Sequence, residues 1–169
     1  MQTRANPATP SSLERFNTTS PEEATQTLLT CLNSHTWAHR LAAHRPYPDL
    51  PALLAAADEA AYDLSPDDLT EALAAETLPA LPEDTYAAAH TALNAAHAAY
   101  ESRFGHVFVI CLAGLSPDET LNHLLAAIRS RLNNDLDEER LVAAEELRQL
   151  ARGRLISTLR GAGNCATSH

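Results

Sequence analysis

Arg154 is the charged residue whose position in the sequence points most directly to chemistry. On a helical wheel it falls between Leu147 and Leu150, on the side that faces the core. A guanidinium there needs an acceptor, from the protein or from a ligand. The chain has no lysine, so arginine is the only fixed cation that could bind a carboxylate ligand. The alternative is an arginine whose stem covers the core edge while its charge reaches water.

A polar stripe on a predicted helix offers groups for proton transfer. His90, Asn94 and His97 lie on one face of an alanine-rich helix, and Glu101 follows one turn later. Histidine is the natural acid or base near neutral pH, so the stripe could line a reaction site. The alternative is an exposed polar face of the helix.

A second pair of histidines has the spacing of metal ligands. His35 and His39 are one helical turn apart, but no carboxylate base lies between them and no third ligand is evident beyond His44. A solvated helix start therefore explains the pair better than zinc does, and we expect no metal site.

The elements that must position these residues are helices. Serine-proline-acid sequences at Ser20, Ser65 and Ser116 combine a capping hydroxyl, a proline and first-turn acids, which is typical of helix starts. Gly105 predicts a helix end, and the apolar run 107–112 predicts a buried extended strip or a packed turn. The predicted helices cover about residues 21–33, 35–44, 50–63, 66–76, 83–104, 117–132 and 137–160.

Composition narrows the fold and the function. Abundant alanine and only 5 glycines favour an all-α fold in one domain over residues 13–160, with residues 1–12 and 161–169 disordered. The net charge of −10 argues against nucleic acid as a partner, and no apolar run is long enough for a membrane. The 3 cysteines have no paired spacing, and the first helix has no secretory signal before it, which together predict a cytoplasmic protein. The missing lysine excludes Schiff-base and P-loop chemistry.

One stretch resembles a known enzyme family. Tyr100-x-x-Arg103-Phe104-Gly105-x-x-Phe108 is similar to the central signature of the 2-oxo-4-hydroxy-4-carboxy-5-ureidoimidazoline (OHCU) decarboxylases of urate breakdown. The similarity covers most of the chain. Its other landmarks, in the family's order, are Phe16-Asn17, Glu22-Glu23-Ala24, Trp37, Arg45-Pro46-Tyr47, Arg131-Leu132-Asn133-Asn134 and Arg154-Leu155.

The resemblance implies both a fold and an activity. Members of the family are all-α, single-domain helical bundles, usually homodimers. They are cofactor-free lyases that remove a carboxylate from the oxidised, hydrated intermediate of urate breakdown to give (S)-allantoin. The expected ligand is thus a small-molecule carboxylate. The resemblance implies that Arg154 binds it, and we expect Arg103 of the signature to be a second substrate-binding residue.

The chain departs from the family pattern at catalytic positions. Glu76 stands where the family has the histidine of a catalytic His-Pro pair. Residues 81–86 are the nearest counterpart of a Leu-Ser-x-x-Glu-Gln element, but they lack its serine and its Glu-Gln pair, and the connection between the two elements is shorter. His97 replaces an asparagine three residues before Tyr100. We therefore expect Glu76 or His97 to move the proton in any reaction that remains.

Two functions fit these observations. The first is a divergent decarboxylase of purine catabolism, in which Arg154 binds the substrate and Glu76 or His97 transfers protons. The second is a catalytically inactive or repurposed domain that keeps the scaffold and binds a small acid or a protein partner. A shared fold alone does not select between them.

Overall fold

The computed structural model describes residues 10–79 and 87–161 of the chain. Its described part contains only helices and connecting segments, which confirms the all-α prediction. No helix in these two ranges is long and apolar enough to cross a membrane. The eight described helices are α1 (Ser12–Thr18), α2 (Pro21–Cys31), α3 (His35–Ala43), α4 (Leu50–Tyr62), α5 (Pro66–Ala74), α6 (Ala87–Phe104), α7 (Pro117–Arg131) and α8 (Leu136–Gly161).

The helix starts follow the serine signals, with one addition. Ser20, Ser65 and Ser116 are the N-caps of α2, α5 and α7, each with proline as the first helical residue. The sequence analysis missed α1, a helix of 7 residues. Its start was encoded by Ser11 and Glu14, which exchange hydrogen bonds of 3.1 Å between side chain and backbone in a capping box.

One predicted helix boundary, the end of α5, is wrong, and another, the start of α6, lies outside the described residues. We expected α5 to continue to Glu76, but it ends at Ala74, so Glu76 lies in the segment that follows. The predicted start of α6 at residue 83 lies outside the described ranges, as do residues 1–9 and 162–169 of the predicted disordered ends.

The main hydrophobic core joins α1 to α5 with α8. Trp37 is fully buried, and its indole N–H donates to the Ala57 carbonyl at 3.1 Å, tying α3 to α4. Tyr47 is buried, and its hydroxyl donates to the Leu41 carbonyl at 2.7 Å. Buried aromatic residues with a paired polar atom fix neighbouring helices without leaving an unsatisfied group.

A second core cluster joins α6 and α7 through the connecting strip 107–112. Gly105 ends α6 with a φ of +80°, the left-handed conformation that glycine adopts without strain. The following residues are not helical, and Phe108, Val109 and Ile110 are buried, as either a buried extended strip or a packed turn requires. Cys111, which we expected to be buried, is half-buried.

A buried ion pair links this second cluster to α8. Arg131, at the end of α7, contacts the fully buried carboxylate of Glu139 at 2.5 Å and donates to the Val109 carbonyl at 2.6 Å. The hydroxyl of Tyr100 on α6 donates to the same carboxylate, and the Asn134 amide donates to its other oxygen at 3.0 Å. The end of α7, α6, the turn at Asn134 and α8 thus meet at the Glu139 carboxylate. Both of its oxygens have hydrogen-bond partners, as a buried charge requires.

We predict that Glu139→Gln costs about 3–5 kcal/mol in the free energy of unfolding, because it leaves the Arg131 charge buried without its counter-ion. Urea denaturation measures this loss. Asp137→Asn is the matched control, since Asp137 is exposed in the same helix turn, and it should cost less than about 1 kcal/mol. Equal losses in the two variants would show that Glu139 does not hold the fold together.

A second prediction concerns alkaline pH. Burial raises the pKa of Tyr100, and the hydrogen bond to Glu139 raises it further. The stability from a raised pKa is complete below the ordinary tyrosine value of about 10 and is lost as the pH rises above it. Above pH 10, Tyr100 should lower the free energy of unfolding of the wild-type protein by up to about 1.4 kcal/mol per pH unit. We expect Tyr100→Phe to remove this part of the pH dependence. Tyr62→Phe is the control, because the Tyr62 side chain is 68% exposed and lies outside both core clusters, and it should leave the alkaline slope as it is. An unchanged alkaline slope in Tyr100→Phe would contradict this account.

Candidate functional site

Arg154 and Glu76 meet in the folded chain although 78 residues separate them. The guanidinium binds the carboxylate through two parallel hydrogen bonds, Nη1 to Oε1 at 2.7 Å and Nη2 to Oε2 at 2.9 Å. Nη1 also donates to the Cys31 carbonyl at 3.1 Å. This fork geometry is the strongest that arginine forms with a carboxylate, and the hydrogen bonding of Arg154 to Glu76 is the main cause that raises the pKa of Arg154.

The pair is partly protected from solvent. The Glu76 side chain keeps 9% of its exposure and the Arg154 side chain keeps 37%. Glu76 follows the end of α5, where its backbone N–H donates to the Leu73 carbonyl at 3.2 Å. Arg154 comes from the second half of α8. The acceptor that the sequence analysis required for Arg154 is therefore a residue of the protein itself.

Glu76 also lines a cleft of about 350 Å³. The end of α5, the end of α6 and the beginning of α8 form its walls, and Arg154 is not among the lining residues. Glu76 thus contributes to the cleft lining while both of its carboxylate oxygens are bound by Arg154. The lining residues are Leu69, Thr70, Leu73, Ala74, Glu76, Glu101, Phe104, Gly105, His106, Val107, Leu136 and Arg140.

Three further ionisable side chains line the same cleft. Glu101 comes from α6, Arg140 from α8 and His106 from the residue after the helix-ending glycine. His106 is half-buried, with its ring 5.5 Å from that of Tyr100. The sequence analysis overlooked His106 and Arg140. The position of His106 directly after Gly105, inside the signature, was the signal that could have identified it.

His97, one of the two expected catalytic residues, lies elsewhere. It is 6% exposed and packs in the second core cluster, with its ring 5.8 Å from that of Phe108. Burial lowers its pKa, and Nδ1 is buried without a hydrogen-bond partner in the described part of the chain. It does not line the cleft that contains Glu76. The structure thus brings Glu76 together with Arg154 but not with His97, whose catalytic role stays a prediction.

Arg103, the second expected substrate-binding residue, lies on the outer side of α6. It is exposed, donates to the Asn134 carbonyl at 2.7 Å, and lies over the Phe104 ring at 5.2 Å. It is not among the residues that line the cleft. Its substrate-binding role also stays a prediction.

The paired histidines lie near the start of α3. His35 Nδ1 contacts the Glu71 carboxylate at 2.5 Å, and the hydrogen bond from His35 is the main cause that lowers the pKa of Glu71. Within residues 10–79 and 87–161, no three His, Cys, Asp or Glu side chains are grouped so as to hold a metal ion.

Comparison with known proteins identifies the family. The model of the OHCU decarboxylase family matches residues 17–81 and 80–156. The chain belongs to the OHCU decarboxylase family. The two matched segments meet at residues 80–81, close to the element in which we expected a departure from the family pattern. That element, residues 81–86, lies outside the described part of the structure.

Two solved structures have the same fold. A crystal structure of (S)-allantoin synthase is 21% identical and superposes with a TM-score of 0.71, covering 89% of this chain and 54% of that one. The chain therefore spans about half the length of that protein. A crystal structure of OHCU decarboxylase in the presence of (S)-allantoin is 21% identical with a TM-score of 0.67, covering 83% of this chain and 99% of that one. A search of curated proteins gives no match.

A double-mutant cycle can measure the interaction between Arg154 and Glu76. Arg154→Gln should cost about 1–2 kcal/mol in the free energy of unfolding, between the values for exposed and for buried pairs, because the arginine is partly solvated. Glu76→Gln should cost a similar amount, and the double variant should cost less than the sum. Arg129→Gln, an exposed arginine of α7, is the control and should change stability little. Additive costs would mean that Arg154 and Glu76 do not interact in solution.

Proposed function

We propose that the protein is a lyase of the OHCU decarboxylase type, which removes a carboxylate from a ureidoimidazoline acid in the cleft between α5, α6 and α8. The observation that carries the proposal is that Glu76, which lines this cleft, is held by Arg154 in a bidentate ion pair. Family membership supports the reaction class. We further infer a homodimer in the cytoplasm, from the resemblance and from the cysteine usage.

The ion pair of Arg154 and Glu76 makes the cleft suitable for a ligand that is rich in N–H groups. Glu76 is held ionised and oriented by Arg154, so its carboxylate is an acceptor for the ureido and ring N–H groups of such a ligand. Arg154 also compensates the charge of Glu76, which reduces the repulsion of an anionic substrate. On this proposal Arg154 acts as a positioning residue for Glu76, and direct substrate binding by Arg154 stays a prediction.

Decarboxylation then requires two things from the cleft. When the carbon–carboxylate bond breaks, CO₂ leaves and its electron pair stays on the ring carbon, where adjacent carbonyl or imine groups delocalise it. A proton must then reach that carbon, and it must come from a group that faces the cleft. His106 lines the cleft, and imidazole is the usual proton donor of enzymes near neutral pH, whereas the Glu76 carboxylate is paired with a fixed cation.

The same pair supports a second candidate function. The fork of Arg154 that would bind a substrate carboxylate is already filled by Glu76. A protein that had lost the reaction could keep this internal pair as a structural contact and use the scaffold to bind a small acid or another protein. The pair therefore favours a repurposed domain if the cleft proves inactive.

An assay with freshly generated OHCU distinguishes the two functions. Circular dichroism at wavelengths where allantoin absorbs follows the formation of one enantiomer with purified protein. If the protein is the lyase, (S)-allantoin should form faster with the protein than in buffer alone. Glu76→Gln should lower the rate by about 10²-fold or more if the carboxylate orients the substrate. No acceleration by the wild-type protein would reject the lyase and leave the repurposed domain.

Glu22→Gln is the control for Glu76→Gln, because Glu22 is an exposed acid on α2, away from the cleft. It should keep the wild-type rate. Both variants need a check by thermal unfolding, so that a lost activity is not the result of a lost fold. An equal fall in rate in both would mean that Glu76 has no specific role.

A further inference from the structure

Arg140 is a cation on the cleft that forms no ion pair with any acid in residues 10–79 and 87–161. It lies on α8 and lines the cleft, and among the residues that the structure describes it makes neither an ion pair nor a hydrogen bond. Arg154, by contrast, donates three hydrogen bonds, two to the Glu76 carboxylate and one to the Cys31 carbonyl. An anion that enters the cleft can thus pair with Arg140 without displacing a group of the protein.

His106 is an imidazole on the same cleft with a fixed tautomer. Its Nδ1 lies 2.9 Å from the Val107 carbonyl oxygen. A carbonyl oxygen only accepts, so Nδ1 carries the hydrogen and Nε2 is the nitrogen that gains or loses a proton. The ring also packs against the rings of Tyr100 and Phe104, at 5.5 and 6.4 Å between centroids, which restrict its orientation.

We propose that Arg140 binds the carboxylate of the acid that occupies the cleft, and that His106 delivers the proton that replaces CO₂. This inference rests on the proposed decarboxylation and adds the groups that perform it. Glu76, held by Arg154, then orients the N–H groups of the ligand. The cleft would combine one free cation, one oriented carboxylate and one imidazole around a small ureido acid.

The step balances with these groups alone. The bond between the ring carbon and the carboxylate breaks, CO₂ leaves, and the electron pair remains on the ring carbon. That carbon then takes the proton from Nε2 of the His106 imidazolium, which becomes neutral imidazole and regains a proton from water. Arg140 is exposed, so its hold on the carboxylate is screened by solvent and opposes the loss of CO₂ only weakly.

The charged groups around His106 determine how the reaction depends on pH. Glu76 faces the cleft from the end of α5, Glu101 from α6 and Arg140 from α8, while the Tyr100 ring contacts the imidazole. On this proposal the proton comes from the His106 imidazole, so the pH dependence of kcat should change when His106 is replaced.

A binding experiment tests Arg140 without any turnover. Calorimetric titrations compare hydantoin-5-acetic acid with hydantoin, which lacks the carboxylate arm. We expect the wild-type protein to prefer the acid, and Arg140→Gln to lower its affinity about 5-fold or more while hydantoin binding is unchanged. Arg129→Gln removes an exposed arginine from α7 and should leave both affinities as they are. An unchanged preference for the acid in Arg140→Gln would overturn the role of Arg140.

Turnover tests His106 and gives a second test of Arg140. His106→Asn keeps a donor near the Nδ1 position but has no nitrogen that can transfer a proton, so kcat should fall about 10²–10⁴-fold and its pH profile should differ from that of the wild-type protein. Arg140→Gln should raise KM more than it lowers kcat. His123→Asn, on an exposed position of α7, is the matched control. An unchanged pH profile in His106→Asn would overturn the role of His106.

The outcomes separate this inference from the proposed function. Turnover by the wild-type protein together with normal KM in Arg140→Gln and a normal pH profile in His106→Asn would keep the lyase and reject these two roles. No turnover, but carboxylate binding that depends on Arg140, would reject the lyase and keep the acid-binding cleft. Neither turnover nor a preference for the acid would overturn the inference entirely.

Discussion

The buried carboxylate of Glu139 is the constraint on which the rest of the structure depends. Its partners come from the end of α7, from α6 and from the turn before α8, and Arg131 carries the contact on to the strip 107–112. A buried anion without these partners would be too costly to keep. Arg131, Tyr100 and Asn134 must therefore converge on Glu139. This fixes the position of the last turns of α6 relative to the first turn of α8. Those two ends are walls of the cleft.

The family signature separates into residues that build the fold and residues that face the cleft. Tyr100 and Phe108 are fully buried, and the Arg131 guanidinium lies 4.2 Å from the Phe108 ring centroid. These residues stabilise the second core cluster whether or not a reaction takes place. The buried cluster does not include Glu76, so the fold can persist whatever residue occupies that position.

The sequence predicted most of the fold because the relevant signals are local. A serine cap, a first-turn proline and a helix-ending glycine such as Gly105 each act within a few residues. The site was harder to predict because its contacts are distant in sequence. Periodicity placed Arg154 on the core side but could not show that Glu76 is its partner. It put His97 on a polar stripe, whereas packing against Phe108 buries it, and a stripe of alanine and histidine gives no sign of which face is covered.

A crystal structure with hydantoin-5-acetic acid bound is the most direct test of the account. The account predicts that the ligand lies in the cleft between α5, α6 and α8, with its carboxylate within hydrogen-bond distance of Arg140 and its ring beside His106, while Glu76 stays paired with Arg154. A ligand whose carboxylate replaces Glu76 on the Arg154 guanidinium, or one that binds outside this cleft, would contradict it.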